Sequence, residues 1–367
     1  MSGQRAPFRA DHVGSLLRPP ALMQARARFA RGDIDAAALA LIEDREIARV
    51  VARQEAIGLS AVTDGELRRS WWHLDFLWGL AGVGRHTTNA GVAFAGAAPR
   101  NEGVRIDGRI AFRGHPMLAH FAFLAARARA MPKVTLPAPS ALTGRPVLPP
   151  IDVGVYADRE RLYADLGAAY RAAVNAFVAA GCRNLQLDEV FIAMLCDDAY
   201  REKMRARGDD PDRLLHVYAG LINEAIADVP ADMTVTLHLC RGNFKSTFMG
   251  RGGYEAVQDV LFNEIGVTGY FMEYDDERSG GFEPLRLLPK GKRVVLGLVT
   301  TKRGELESKD ELKSRIDAAA RFVPLERLCL SPQCGFASTE EGNLLTEDEQ
   351  WAKLARVVEV AAEVWGQ

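Results

Sequence analysis

One stretch, Met233-Thr234-Val235-Thr236-Leu237-His238-Leu239-Cys240, indicates both the fold and the chemistry of this chain. It is an apolar, β-branched run that ends in a histidine and a cysteine two positions apart. Residues i and i+2 of a strand point to the same side, so this imidazole and this thiol can hold one metal ion between them. The pattern is weak by itself, because a lone histidine in an apolar run is more often a hydrogen-bonded core residue.

The rest of the chain alternates short apolar runs with longer helical segments. The runs lie at 61–63, 134–136, 185–187, 235–237, 270–272, 294–298 and 328–330. The helical segments lie at 35–57, 117–130, 159–180, 211–227, 254–262, 309–322 and 347–364. This alternation is typical of a parallel sheet. With the segment His12-Val13-Gly14 there are about eight units, which predicts an α/β fold, a (β/α)8 TIM barrel, with residues 1–367 as a single domain.

Residues 72–114 depart from this rhythm. They are rich in glycine and show little helical period, with alternating runs such as Val92-Ala93-Phe94 and Val104-Arg105-Ile106. Long stretches without helices in a compact domain are usually functional. We therefore interpret them as an inserted β-hairpin or lid loop after the second strand.

Composition excludes several classes of protein. The 367 residues are 48% hydrophobic and 26% charged, with a formal net charge of -2 and no basic block, so nucleic acid is not an expected partner. No apolar run approaches the roughly 18–20 residues that a membrane span needs. Residues 1–10 lack the apolar core of a signal peptide. We expect a cytoplasmic protein with no membrane partner, in which the 5 scattered cysteines form no disulfide framework.

Chemically active residues follow the predicted strands, where the active site of a barrel enzyme lies. These residues are Ser15, Asp64, Glu66, Asp188, Glu189, His238, Cys240, Glu273 and Cys334. Taken singly, each has a structural explanation: Asp64 or Asp188 can cap the next helix, and Cys334 can be a small buried hydrophobe. Imidazole, thiolate and carboxylate are also the ligands of zinc. Their shared position at one rim therefore favours a zinc site.

In their order along the chain, these motifs resemble the C-terminal catalytic barrel of cobalamin-independent methionine synthases, relatives of uroporphyrinogen decarboxylase. The motifs are His12-Val13-Gly14-Ser15, Asp64-Gly65-Glu66, Leu187-Asp188-Glu189, His238-Leu239-Cys240 with Asn243-Phe244, Met272-Glu273 and Pro332-Gln333-Cys334-Gly335. The resemblance implies a Zn²⁺ cofactor whose ligands are His238, Cys240, Glu273 and Cys334. It also implies a homocysteine site made by Ser15, Glu66 and Asp188. Ser15 would meet the carboxylate of homocysteine, and the two acids would pair with its ammonium.

The implied reaction is transfer of a methyl group to the thiol of homocysteine, which gives methionine. Zinc deprotonates a bound thiol, and two thiolate ligands with a carboxylate keep the substrate sulfur electron-rich. One alternative is an alkyltransferase for another small thiol of the coenzyme M type, although such a thiol offers no ammonium to Glu66 and Asp188. Another is a homocysteine-binding barrel that works only with a methyl-donor partner protein. Uroporphyrinogen decarboxylase chemistry is less expected, because it needs no thiolate ligands.

The chain departs from that family in the half that binds the methyl donor. Full-length synthases of this type carry a second, N-terminal barrel that helps bind the folate, whereas this chain has the length of one barrel. A histidine expected after the seventh strand is replaced in the run 297–302 by Lys302 or a neighbouring threonine. The donor is therefore left open between methyltetrahydrofolate and a methyl-corrinoid, either of them free or delivered by a protein.

Several other residues are candidates for the donor side. Trp71 and Trp72 can stack on a flat donor or pack beneath the insert. Arg18, Arg68 and Arg69 can contact an anionic donor or the substrate carboxylate, with surface exposure the expectation for Arg69.

Overall fold

The computed structural model describes residues 5–87, 101–145 and 148–366, which form an α/β fold. The strands are β1 (Ala61–Val62), β2 (Ala81–Thr87), β3 (Glu102–Ala111), β4 (Met131–Pro132), β5 (Val134–Pro137), β6 (Asn184–Glu189), β7 (Thr234–Leu239), β8 (Gly269–Glu273), β9 (Arg293–Val299) and β10 (Leu328–Pro332). The helices are α1 (Pro20–Ala30), α2 (Ala36–Ala56), α3 (Leu74–Leu77), α4 (Met117–Ala125), α5 (Arg159–Ala179), α6 (Phe191–Met194), α7 (Asp198–Ala206), α8 (Pro211–Ala225), α9 (Gln258–Asn263), α10 (Lys309–Ala320) and α11 (Glu347–Trp365). Within these ranges, no helix has the length and apolar character that crossing a membrane requires.

A parallel sheet of six strands, in the order β10-β9-β8-β7-β6-β5, is the centre of the fold. A second parallel ladder joins β1 to β4, and β4 is separated from β5 by Lys133 alone. The segment before His12 contributes one parallel bridge, between Ala10 and Leu330 of β10, rather than a strand. Closure of eight strands into one barrel stays a prediction.

The predicted alternation of strands and helices is present along the described chain. The clearest difference lies at 254–262, where a short 3-10 turn, Tyr254–Ala256, precedes α9. Helices α1 and α7 were not predicted from the sequence, although each carries a helix-start signal. Pro20 opens α1, and the Asp197 side chain accepts a hydrogen bond from the Ala199 N–H at the start of α7.

The insert contains a β-hairpin. Strands β2 and β3 pair antiparallel, with Val83 opposite Ile106 and Thr87 opposite Glu102. Residues 88–100, which include the run Val92-Ala93-Phe94, lie outside the described residues. The role of the insert as a lid stays a prediction.

A buried ion pair lies where the two parallel ladders meet. The Lys133 ammonium donates to the His12 carbonyl oxygen at 2.6 Å and to Asp11 Oδ1 at 3.3 Å. It also lies 4.0 Å from the centre of the Phe271 ring on β8. Burial lowers the pKa of Lys133, and the Asp11 carboxylate opposes that effect. The pair thereby joins the segment before His12 to the strands of the core.

We expect Lys133→Met to lower the free energy of unfolding by about 3–5 kcal/mol, because it leaves the buried Asp11 carboxylate without a counter-charge. Urea denaturation followed by circular dichroism measures this loss. The double variant Asp11→Asn/Lys133→Met should recover part of it. Lys290→Met, at an exposed position, is the matched control. A Lys133→Met protein as stable as that control would contradict the expectation.

Candidate active site

Four buried side chains converge at the C-terminal ends of three strands. His238 lies on β7 and Cys240 follows it, Glu273 is the last residue of β8, and Cys334 follows β10. One ligand atom from each lies within 4.8 Å of the others. The structure therefore brings together the four side chains that the sequence indicated as metal ligands.

Close packing of β9 against the end of β10 brings Cys334 to this point. A Cβ atom on Gly297 of β9 would lie 2.7 Å from the Gln333 Cα atom and 2.9 Å from the Met272 carbonyl oxygen. The register of β10 also shifts after Ser331. A residue larger than glycine at position 297 would push the Cys334 segment away from Cys240.

The geometry of the four side chains fits a tetrahedral ion. Two thiolates that bind zinc at about 2.3 Å lie about 3.8 Å apart, and the sulfur atoms of Cys240 and Cys334 are 3.5 Å apart. Both ring nitrogens of His238 are buried and make no hydrogen bond of ordinary geometry in the described residues, so one is available as a ligand. Each oxygen of Glu273 accepts one hydrogen bond, from the Arg241 N–H at 2.8 Å and from Arg278 Nη2 at 2.9 Å, and keeps a lone pair.

A chain of alternating charges extends behind Glu273. Arg278 also donates to Asp275 Oδ1 at 2.9 Å, and Lys302 donates to Asp275 Oδ2 at 3.0 Å. Burial raises the pKa of Glu273, and the positive charges of Lys302 and Arg278 limit this rise. Lys302, predicted on the donor side, is thus held by Asp275 and lies outside the cavity lining.

The thiols of Cys240 and Cys334 lie within hydrogen-bond distance, and either sulfur can be the donor. Their hydrogen bond is the main cause that raises the pKa of Cys240 well above the ordinary thiol value and lowers that of Cys334 well below it. Binding of a divalent cation would release the proton of this hydrogen bond, because a metal ligand must be a thiolate.

A cavity of about 930 Å³, including its mouth, opens beside the metal-ligand cluster. Its wall contains three of the four candidate ligands, His238, Cys240 and Cys334. Of the other residues proposed from the sequence, those in the wall are Ser15, Glu66, Asp188, Trp71 and Trp72. The structure therefore places the predicted substrate residues and both tryptophans around the same space.

Two carboxylates face this cavity from different segments. Glu66 has a φ of 57°, a left-handed conformation that is uncommon for a residue with a side chain, and its Oε1 accepts a hydrogen bond from Thr135 Oγ1 at 2.8 Å. Asp188 Oδ1 accepts from Gln186 Nε2 at 2.7 Å. Burial raises the pKa of Asp188 to about 7, against the opposing effect of His238. A bound ammonium would stabilise both carboxylates in their charged form.

Ser15 joins the cavity wall to the segment that follows Cys334. The Ser15 carbonyl oxygen accepts from the Phe336 N–H at 2.9 Å, and its hydroxyl accepts from the Ala337 N–H at 3.4 Å. A Cβ atom on Gly335 would lie only 2.0 Å from Ser15 Oγ, so this contact needs glycine. Ser15, the predicted carboxylate-binding residue, therefore contacts the segment that directly follows Cys334, one of the candidate metal ligands.

The three arginines considered from the sequence are structural. Arg18 donates to the carbonyl oxygens of Leu16 and Ala337, at 2.9 and 3.0 Å. Arg68 pairs with Glu43 at 2.9 Å. The expected exposure of Arg69 is wrong: it is buried, and its guanidinium donates to the Thr135 carbonyl oxygen at 2.6 Å and lies 3.4 Å from Glu66 Oε2. Its pairing with Glu66 accounts for the burial.

The two tryptophans contact Glu102 and His73, which were not predicted from the sequence as site residues. Trp71 Nε1 donates to Glu102 Oε2 at 2.8 Å, which connects the hairpin to the cavity. The Trp72 ring packs on His73, with 4.5 Å between ring centres. His73 in turn is hydrogen-bonded to Arg145, and both line the cavity. No local pattern marks this pair, because its members are 72 residues apart in the sequence.

Comparison with known proteins gives the relatives of this chain. It is 49% identical over 365 residues to the uncharacterized protein YxjH of Bacillus subtilis (strain 168), covering 99% of this chain and 96% of that protein. It superposes with a TM-score of 0.80 and 39% identity on the candidate vitamin-B12 independent methionine synthase of Listeria monocytogenes, covering 99% of this chain and all of that one.

The curated synthases that it matches are longer. The chain is 28% identical over 329 residues to the 5-methyltetrahydropteroyltriglutamate–homocysteine methyltransferase of Ralstonia pickettii (strain 12J), which is 88% of this chain but 38% of that enzyme. The family model described as the catalytic domain of cobalamin-independent synthase matches residues 8–363. The protein therefore belongs to the cobalamin-independent synthase family, of which it contains the catalytic domain.

Proposed function

We propose that this protein is a zinc-dependent methyltransferase that transfers a methyl group to the thiol of homocysteine and so forms methionine. One observation carries the proposal: a single cavity is lined by metal-ligand side chains and, beside them, by two buried carboxylates. A thiol that carries an ammonium group a few bonds away matches both features. Membership of the cobalamin-independent synthase family supports the same reaction.

The residues of the chain would bind and orient the substrate. His238, Cys240, Glu273 and Cys334 would hold the zinc ion, which would supply the Lewis acidity that turns the substrate thiol into a thiolate. Glu66 and Asp188 would pair with the ammonium. Ser15, which lines the cavity, would donate its hydroxyl to the substrate carboxylate.

Substrate recognition would lie in the fixed positions of the two acids. Both are buried and already hydrogen-bonded by neighbouring side chains, so little conformational entropy is lost when substrate binds. A sulfonate thiol of the coenzyme M type would bring an anion toward these carboxylates, which disfavours it as the substrate.

The methyl donor is a second part of the proposal. A methylated folate and a methylated corrinoid both remain candidates, the second with or without a protein that carries it. Methionine formation with methyltetrahydrofolate or methylcobalamin as the donor distinguishes the two.

We expect the reduced protein to bind one zinc ion per chain, and Cys334→Ser to weaken that binding by more than roughly 100-fold. Loss of a residue that merely supports a ligand already costs about 10- to 100-fold, and here a ligand itself is lost. Metal analysis and competition with a chelator measure the affinity.

Cys182→Ser is the matched control, because Cys182 is also a buried free thiol but is not one of the clustered ligands. Unchanged zinc affinity in Cys334→Ser, or an equal loss in Cys182→Ser, would contradict the assignment of Cys334 as a ligand.

Glu66→Gln and Asp188→Asn should each weaken homocysteine binding to the zinc-loaded protein by about 10- to 100-fold, the usual range for loss of a charged hydrogen-bond partner. Calorimetry with homocysteine and with 4-mercaptobutyrate, which lacks the ammonium, measures the effect. The wild-type protein should prefer homocysteine, and each variant should lose most of that preference.

Glu202→Gln, at an exposed position on α7, is the control for this series. Equal affinity of the wild-type protein for the two thiols would argue against homocysteine as the substrate, and would favour a thiol without an amino group.

A further inference from the structure

One positive charge in the cavity has no role in the reaction described above. Among the described residues that line the cavity, Arg145 is the only lysine or arginine. Within the described residues, the one hydrogen bond of its guanidinium is with Nε2 of His73, and no carboxylate lies within ion-pair distance of it. A guanidinium has five N–H donors, so most of those on Arg145 remain available to a ligand.

The histidine partner does not neutralise this charge. Burial, and then the charge of Arg145 itself, lower the pKa of His73 well below its ordinary value, so the imidazole is neutral. Burial also lowers the pKa of Arg145, to about 10, which leaves the guanidinium charged at neutral pH. His73 is in turn held by the Trp72 ring on which it packs.

The backbone that carries Arg145 is firmly held. The Tyr200 hydroxyl donates to the Gly144 carbonyl oxygen, and Arg207 donates to the Thr143 carbonyl oxygen at 3.1 Å. A Cβ atom on Gly144 would lie 2.2 Å from the Phe191 ring, so this segment packs directly against the cavity wall. The guanidinium is therefore presented from a fixed base.

The other charged groups of the cavity indicate which kind of molecule Arg145 would bind. Homocysteine already has partners for both of its charged groups in Ser15, Glu66 and Asp188. The remaining wall includes the aromatic rings of Trp71, Trp72 and Phe191. It also includes Glu102, whose carboxylate accepts a hydrogen bond from Trp71 Nε1 at 2.8 Å. A second molecule with a flat body and an anionic group would match the aromatic wall and the unpaired guanidinium together.

We propose that Arg145, positioned by His73, recognises a carboxylate on a flat, aromatic methyl donor of the reduced-folate type. This inference rests on the proposed methyl transfer and makes its donor half specific. It assigns selection of the donor to the cavity wall itself, at a residue separate from the metal ligands and from the acids that bind the amino acid.

Binding measurements on the zinc-loaded protein test this proposal. The probes are 5-methyltetrahydrofolate with one glutamate and its analogue with both carboxylates converted to amides. We expect Arg145→Met to weaken binding of the acid form by roughly 10- to 100-fold, with an intermediate loss in Arg145→Lys. Homocysteine affinity and zinc content should be unchanged. The diamide should bind the wild-type protein weakly, and Arg145→Met should not distinguish the two probes.

Two further variants test whether the effect is specific to Arg145 and whether His73 acts through Arg145. Arg113→Met, the same substitution at an exposed position beyond the hairpin, should bind the folate like the wild-type protein. His73→Ala should weaken folate binding in the wild-type background but not in Arg145→Met, as expected for a residue that acts through Arg145. If Arg145→Met does not fold, the comparison of acid and diamide on the wild-type protein, with Arg145→Lys, decides.

The proposal is wrong if the wild-type protein does not bind the folate, if it binds acid and diamide equally, or if the loss in Arg145→Met falls on homocysteine. These outcomes are separate from failure of the proposed function. Absence of methyl transfer with every donor, combined with Arg145-dependent folate binding, would contradict the reaction but leave the recognition site intact.

Discussion

Four ionisable side chains, the candidate metal ligands, lie together at one buried point, and much of the surrounding structure depends on this constraint. Two thiols, a carboxylate and an imidazole within 4.8 Å of one another cannot all take their metal-binding protonation states without compensating positive charge. Arg278 supplies part of it at the outer oxygen of Glu273, and Asp275 links Arg278 to Lys302. These alternating charges spread the balancing positive charge over a wider region. A divalent cation would supply the remaining positive charge on the cavity side.

The backbone around the four side chains is held in place by two close contacts at glycines and by a buried network of amide side chains. Gly297 lets the end of β10 lie against β9, and Gly335 lets the next turn lie against the Ser15 hydroxyl. Asn343 donates to Asn243 Oδ1 and to the Thr301 carbonyl oxygen, both at 2.8 Å, and so connects loops after β7, β9 and β10. Preorganisation of this kind reduces the rearrangement needed when a metal ion and a substrate bind.

Sequence alone could predict the features that follow from local periodicity. The spacing of His238 and Cys240 on one strand is local, and parallel strands end at one edge, so the ligand cluster was predictable. The two-residue period places neighbouring acids such as Asp188 and Glu189 on opposite sides of β6, but it does not tell which side faces the cavity. Asp188 faces the cavity, whereas Glu189 accepts from the Phe191 and Ile192 N–H groups at the start of α6. The burial of Arg69 depends on a tertiary contact and had no local signal.

The two halves of the cavity differ in how much of each can be predicted from local sequence patterns. The thiol half is built from short motifs at strand ends, where the sheet itself fixes the side chains and a few residue types suffice to identify the site. The other half is assembled from loops that meet only in three dimensions: Trp71 reaches Glu102 of the hairpin, and His73 reaches Arg145 after β5. Loops tolerate substitution more readily than strand ends. Substitutions on the proposed donor side of the cavity are therefore expected to be tolerated more readily than substitutions on the proposed thiol side.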